Sequence, residues 1–135
     1  MARGRAAGSL SVVPQLTAST LARTVASLCV GLGAGTIGTV MHRAIRPWGL
    51  VLCVALVLAA ALVTRAWAGW AGWFATVVGT LVAAQVLSGR GPGGDVLVPA
   101  GDAWGWAWAV GAVVALGLVA LVPRRWVEDA PTATT

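Results

Sequence analysis

Apolar residues fall into four blocks, 24–41, 48–63, 67–87 and 104–122, and no Asp, Glu, Lys or Arg interrupts any of them. Polar punctuation separates them: His42, Arg43 and Arg46 before the second block, Arg65 before the third, and a Gly/Pro stretch at 88–103 before the fourth. Each block is close to the ~17–25 residues that a helix needs to cross about 30 Å of hydrocarbon. The pattern predicts an all-α polytopic membrane protein with four transmembrane helices. The connectors 42–47 and 64–66 are too short for parallel neighbours, so the helices are expected as two antiparallel hairpins.

Outside the blocks, residues 1–20 mix Gly, Ser, Thr, Ala and Arg without period and read as a disordered tail. The transmembrane domain is expected over 21–126, and 127–135 as a short polar C-terminal tail. Arg3, Arg5 and Arg23 precede the first apolar block, as they would in a secretory leader. The long polar stretch with Pro14, and the poor cleavage sequence after Met41, favour a retained helix.

Composition sharpens this picture. The chain of 135 residues is 59% hydrophobic and only 10% charged, where about 25% charged is usual for a soluble domain. No separate soluble domain fits between the blocks. The net charge is +5 and every basic residue is Arg. These arginines sit at block ends, which points to membrane topology rather than nucleic-acid binding. Arg3, Arg5, Arg23, Arg65, Arg124 and Arg125 lie on one side, against Arg43, Arg46 and Arg90 on the other. The excess places both termini in the cytoplasm, with the protein in a bacterial cytoplasmic (inner) membrane. The Ala/Gly/Val/Arg/Trp-rich usage also suggests a GC-rich genome. Cys29 and Cys53 fall in opposite leaflets of that arrangement and are expected as separate packing residues rather than a disulfide.

The first block differs from the rest. Ser27, Gly31, Gly35 and Thr39 recur every four residues and so share one helix face, which Ala34 and Gly38 extend. This small-xxx-small pattern lets helix backbones approach closely. The face serves either packing within the chain or self-association. The six strong insertion residues of this block supply only about −2 to −4 kcal/mol, against about −3 to −5 kcal/mol for the second block. The first helix is therefore expected at the packed centre and the second more toward lipid. Trp67 reads as an interface anchor, Trp73 and Phe74 as packing between helices, and Trp104, Trp106 and Trp108 as a headgroup-level collar.

Reactive side chains gather on the side opposite the termini: His42, Arg43, Arg46, Gln85, Arg90, Asp95 and Asp102. A His with two carboxylates can support proton transfer or a weak metal site. The same residues also collect there simply because lipid excludes them, with Asp95 or Asp102 pairing Arg90 or Arg46. The polar cluster singled out is His42, Arg46, Arg90, Asp95 and Asp102, with Arg90–Asp95 as its leading pair, holding the 88–103 loop against Trp104 and Trp106. No mid-block carboxylate, Lys or His is present, which argues against a proton-driven carrier. GxSxG, Walker A, HExxH and CxxC patterns are absent. The expectation is no catalytic or metal site, no cofactor and no nucleic-acid partner.

The span pattern over 21–122 and the loop 89–99 together resemble a set of actinobacterial four-span membrane proteins grouped as domain of unknown function 6113. Arg90, Pro92, Gly94 and Asp95 match that family's Arg-Pro-x-Gly-Asp loop. Gly91 adds a residue between Arg and Pro, and Val96 and Leu97 replace the usual aromatic residues after the Asp. The resemblance implies fold and lineage and no reaction. The expected function is a structural or partner-binding membrane subunit, in contact with the lipid bilayer and with a membrane-protein partner. The alternative is a small homo-oligomeric channel or transporter component assembled through the first helix.

Overall fold

The structure, a computed structural model, describes residues 17–89 and 102–126. Among them are three helices, α1 (Ala18–Met41), α2 (Trp48–Ser88) and α3 (Ala103–Leu121), followed by a single 3₁₀ turn at Arg124–Trp126. All three helices are long and apolar enough to cross a membrane, and the described residues contain no strand. The chain is all-α, but the expected count of four helices is not met. Blocks 48–63 and 67–87 lie in one helical element, α2. The start of α1 takes in residues 18–20, which the sequence pattern assigned to the tail. Residues 127–135 lie outside the described residues.

Gly69 explains why one element holds two apolar blocks. Its φ of 64° and ψ of −148° are non-helical, in a region essentially reserved for residues without a Cβ. Either side of it, α2 consists of two arms, 48–68 and 70–88. The hydroxyl of Thr76 donates to that of Thr64 at 2.7 Å, whereas a straight helix would hold residues twelve apart about 18 Å from each other. The arms therefore fold back on one another, and Thr64 relays its own hydrogen to the Ala60 carbonyl at 2.9 Å.

The small-residue face of α1 packs against the second arm of α2, running parallel to it. Ser27, Gly31, Gly35 and Thr39 are all buried, with Ala34 and Gly38. A Cβ on Gly31 would meet the backbone of Thr76, and one on Gly35 would lie 2.7 Å from the Thr80 carbonyl oxygen. The second arm answers with its own small residues, Gly72, Thr76, Gly79, Thr80 and Ala83, all buried. A Cβ on Gly79 would lie 2.5 Å from the Leu28 carbonyl oxygen, so the close approach is mutual. Thr80 donates to the Gly31 carbonyl at 3.2 Å and, one turn back, the Thr76 hydroxyl oxygen lies 3.2 Å from the Ser27 carbonyl. Interhelical hydroxyl–carbonyl bonds of this kind, made where backbones touch, hold helices together in surroundings without water.

The remaining core lies between the first arm of α2 and α3. Val57, Ala60, Ala61, Ala112, Ala115, Leu116 and Val119 form one cluster with Cys53, Ala34 and Trp108. The central element is thus α2, which contacts both neighbours, rather than α1 as the insertion arithmetic suggested. That arithmetic measures preference for lipid over water and carries no information on which helix packs against which. Two aromatic expectations also change. Trp73 does pack between helices and donates its indole N–H to the Leu116 carbonyl at 3.2 Å, but Phe74 is 58% exposed. Trp108 is buried in the core and takes no part in a collar, whereas Trp106 is exposed. Cys53 is buried and Cys29 exposed, both as free thiols.

Candidate functional site

The chain's connector end, where α1 finishes, α2 begins and α3 starts, gathers polar groups from three segments. Asp102 caps α3: its side chain accepts from the Gly105 N–H at 3.0 Å, satisfying one of the donors that a helix start leaves free. The same carboxylate takes an ion pair from Arg43, and both side chains are partly covered. The Arg46 guanidinium sits 5.3 Å above the Trp104 ring, a cation–π distance. His42 lies under Trp108, their rings nearly parallel with centroids 6.1 Å apart. One short connector therefore grips the first two turns of α3 through three successive pairs.

His42 is wholly buried. Its Nδ1 faces two acceptors, the Gly38 and Thr39 carbonyls at 3.2 and 2.8 Å, so the hydrogen belongs on that nitrogen. Its Nε2, the Thr39 hydroxyl and the Arg43 Nε are enclosed without a protein partner. Thr39 differs in this from Ser27, Thr36, Thr64 and Thr80, whose hydroxyls donate to backbone carbonyls. The ring's burial makes His42 a packing residue beneath the α3 start. No group of three or more His, Cys, Asp or Glu that could hold a metal ion occurs among the described residues.

Of the singled-out cluster, the structure brings together His42, Arg46 and Asp102, and adds Arg43, Trp104 and Trp108. Asp102 pairs with Arg43 and not with Arg46, which the ring of Trp104 takes instead. Arg90 and Asp95, the expected leading pair, lie outside the described residues. Sequence reading missed Arg43 as the partner because spacing cannot rank two arginines three residues apart. The N-cap position of Asp102, directly before an apolar helix, is the signal that was present in the sequence.

The Arg43 bond holds the Asp102 carboxyl below the usual carboxylate range; the Gly105 N–H adds to this, and partial burial opposes it. A lowered folded value means that Asp102 stabilises the fold fully above its unfolded pKa of about 3.9 and loses that contribution as pH falls through the folded value. The chain has only four carboxylate side chains, so the acid limb is readable. We expect wild-type melting temperature in detergent to fall between pH 6 and pH 3. Asp102→Asn should start lower at pH 6 and show a flatter acid limb. Identical limbs in the two proteins would remove Asp102 from this role.

Beside the grip, a cavity of about 510 Å³ opens between the second arm of α2 and α3. Thr80, Ala84, Gln85, Gly105, Trp108 and Ala109 contribute to its lining. Its walls are mainly small or apolar, and of its polar side chains Gln85 and Ser88 stand at the connector end. Trp108 joins the two features, since one face stacks on His42 and the ring also borders the groove. The chain matches no family model, no curated protein and no solved structure.

Proposed function

We propose that this chain is a non-enzymatic integral membrane subunit that seats a helix of a partner membrane protein in the groove between α2 and α3. The groove carries the reading. Ala84, Gly105 and Ala109 leave room for a backbone to approach, as association between helices in lipid requires. Gln85 supplies an exposed amide where polar side chains act as interhelical hydrogen-bonding groups.

In this reading α1, the two arms of α2 and α3 make four crossings of a bacterial cytoplasmic membrane, with both termini cytoplasmic. The arginine asymmetry supports that orientation, and the resemblance to the domain of unknown function 6113 proteins supports the lineage. An impermeant thiol reagent on intact cells, in a Cys29/Cys53-free background, should label a cysteine at Ala44 and spare one at Thr134. The reverse pattern would invert the orientation.

The groove is tested by photo-crosslinking from positions 84 and 109 in native membranes, with position 55 on an exposed face as control. The expected result is one discrete, stoichiometric adduct from 84 and 109 that is absent from 55. Adducts with lipid only, at all three positions, would sink the subunit reading. A self-adduct would instead favour the alternative, a small oligomeric channel or transporter component. Assembly of that kind through the Gly31/Gly35 face is unfavourable, because α2 already covers it. The opposite face, where Gly33 has open space, remains available.

A further inference from the structure

At the end of the molecule opposite the connector grip, α2 reverses, and two arginines meet two tryptophans there. Arg65 is only 4% exposed. Its guanidinium lies 3.5 Å from the centroid of the Trp70 ring, and its Nε is enclosed with no hydrogen-bond partner. Arg23, from the start of α1, places its guanidinium 5.6 Å over the Trp67 ring and donates to the Trp67 carbonyl at 3.4 Å. The two side chains reach the same turn from different helices.

A guanidinium cannot shed its proton to escape burial, and a buried charge without a counter-charge is strongly destabilising. Stacking on Trp70 offsets part of that cost. The one carboxylate among the described residues, Asp102, is at the other end of the molecule and engaged by Arg43. No carboxylate among the described residues offsets the Arg65 charge, and an anion arriving from outside them would. The fork of an arginine fits the paired oxygens of a phosphate. Trp67 and Trp70 are half exposed, the type and placement of side chain that lies at headgroup depth, and Val63 and Phe74 beside them expose apolar surface for acyl chains.

We propose that the α2 reversal is a phosphate site that takes the headgroup of an anionic phospholipid, with Arg65 as its principal ligand and Arg23 as its second. Gly69 makes the site possible, because its left-handed backbone turns the chain between Arg65 and Trp70. The lipid's phosphate completes the charge balance of Arg65, and the tryptophans set its depth. This site is independent of the groove, which lies at the opposite end.

The test uses the full chain in nanodiscs of equal phosphatidylglycerol and phosphatidylcholine, with retained lipids counted by native mass spectrometry. Wild type should retain phosphatidylglycerol preferentially. Arg65→Gln should lower that preference roughly tenfold, the scale of a lost charge-assisted hydrogen bond. Arg65→Lys should keep part of it, and Arg125→Gln, an exposed arginine beyond α3, should keep all of it. If Arg65→Gln fails to fold, Arg23→Gln, at an exposed position, supplies the same comparison with a smaller loss. A parallel arm adds inorganic phosphate to protein in pure phosphatidylcholine discs at matched ionic strength. No change in melting temperature there identifies the source as lipid, and stabilisation by phosphate alone would reassign the site to a free anion. Wild type without any phosphatidylglycerol preference or phosphate response, or Arg65→Gln with the wild-type preference, overturns the proposal.

Discussion

Gly35→Leu is expected to destroy most of the folded protein. A Cβ at this position would already sit 2.7 Å from the Thr80 carbonyl oxygen, 2.9 Å from its Cα and 3.0 Å from the Ala83 methyl. Two of these three obstacles are backbone, which no rotamer change can move. The helices would have to separate, and with them would go the Thr80 bond to the Gly31 carbonyl and the close approach of Thr76 to Ser27. Overpacking by itself costs about 1–3 kcal/mol, and here the interhelical bond fails as well, so a loss of about 3 kcal/mol or more is expected. A Cβ at Gly33 on the same helix meets nothing within 4 Å, which makes Gly33→Leu one control, and Ala55→Leu, on an exposed face, is the other. Both controls should stay within about 0.5 kcal/mol of wild type. The measurement is thermal aggregation in mild detergent, followed by in-gel fluorescence of a fused reporter. Equal melting of Gly35→Leu and the two controls would show that the α1–α2 contact does not hold the fold together.

Trp108→Ala should have the next largest effect. The ring is 2% exposed, stacks on His42 and lies directly against Gly38, so it ties α3 to the end of α1. Truncating a buried Trp costs about 3–5 kcal/mol. It also uncovers His42 and removes one wall of the α2–α3 groove. Trp106→Ala, two residues earlier and 68% exposed, is the matched control and should be near neutral. Loss of the α3 grip predicts faster proteolysis near Asp102 in the Trp108 variant, at temperatures where α1 and α2 remain folded. Equal protection of the two variants would mean that the stacking on His42 contributes little.

These two positions show what sequence could and could not reveal. The Gly31/Gly35 ladder was visible as a period of four, because helical geometry alone puts such residues on one face. Its partner was not visible. The natural guess for a short connector is that α1 packs against the arm that follows it. The structure instead sets its small face against the second arm, because that is where Gly72, Thr76, Gly79 and Thr80 repeat at the same spacing. The ladder on that arm mixes glycine with threonine, so it does not stand out from the apolar residues around it. Trp108 was misread for a related reason. A helix turns three tryptophans at alternate positions to different sides, which reads as a collar, but one of those sides, that of Trp108, faces α1.

The connector grip was half legible. Its residue types were apparent, since lipid drives His, Arg and Asp to the ends of apolar segments. The pairing was not, because Arg43 and Arg46 differ by less than one helical turn, and only the approach of α3 decides which meets Asp102 and which meets Trp104.

Sequence by itself determined the class of this protein: apolar blocks of spanning length, arginines at their ends, and a glycine face on the first. Those features depend on transfer free energy and on helix periodicity, both local properties of the chain. Tertiary structure alone decided that the middle two blocks fold back on one another at Gly69, that α2 and not α1 is central, that a groove opens between α2 and α3, and that Arg65 is buried on Trp70. Each of these depends on where segments tens of residues apart come to rest, and the energy that settles it, close packing and a few hydroxyl–carbonyl bonds, belongs to pairs of helices rather than to any one of them.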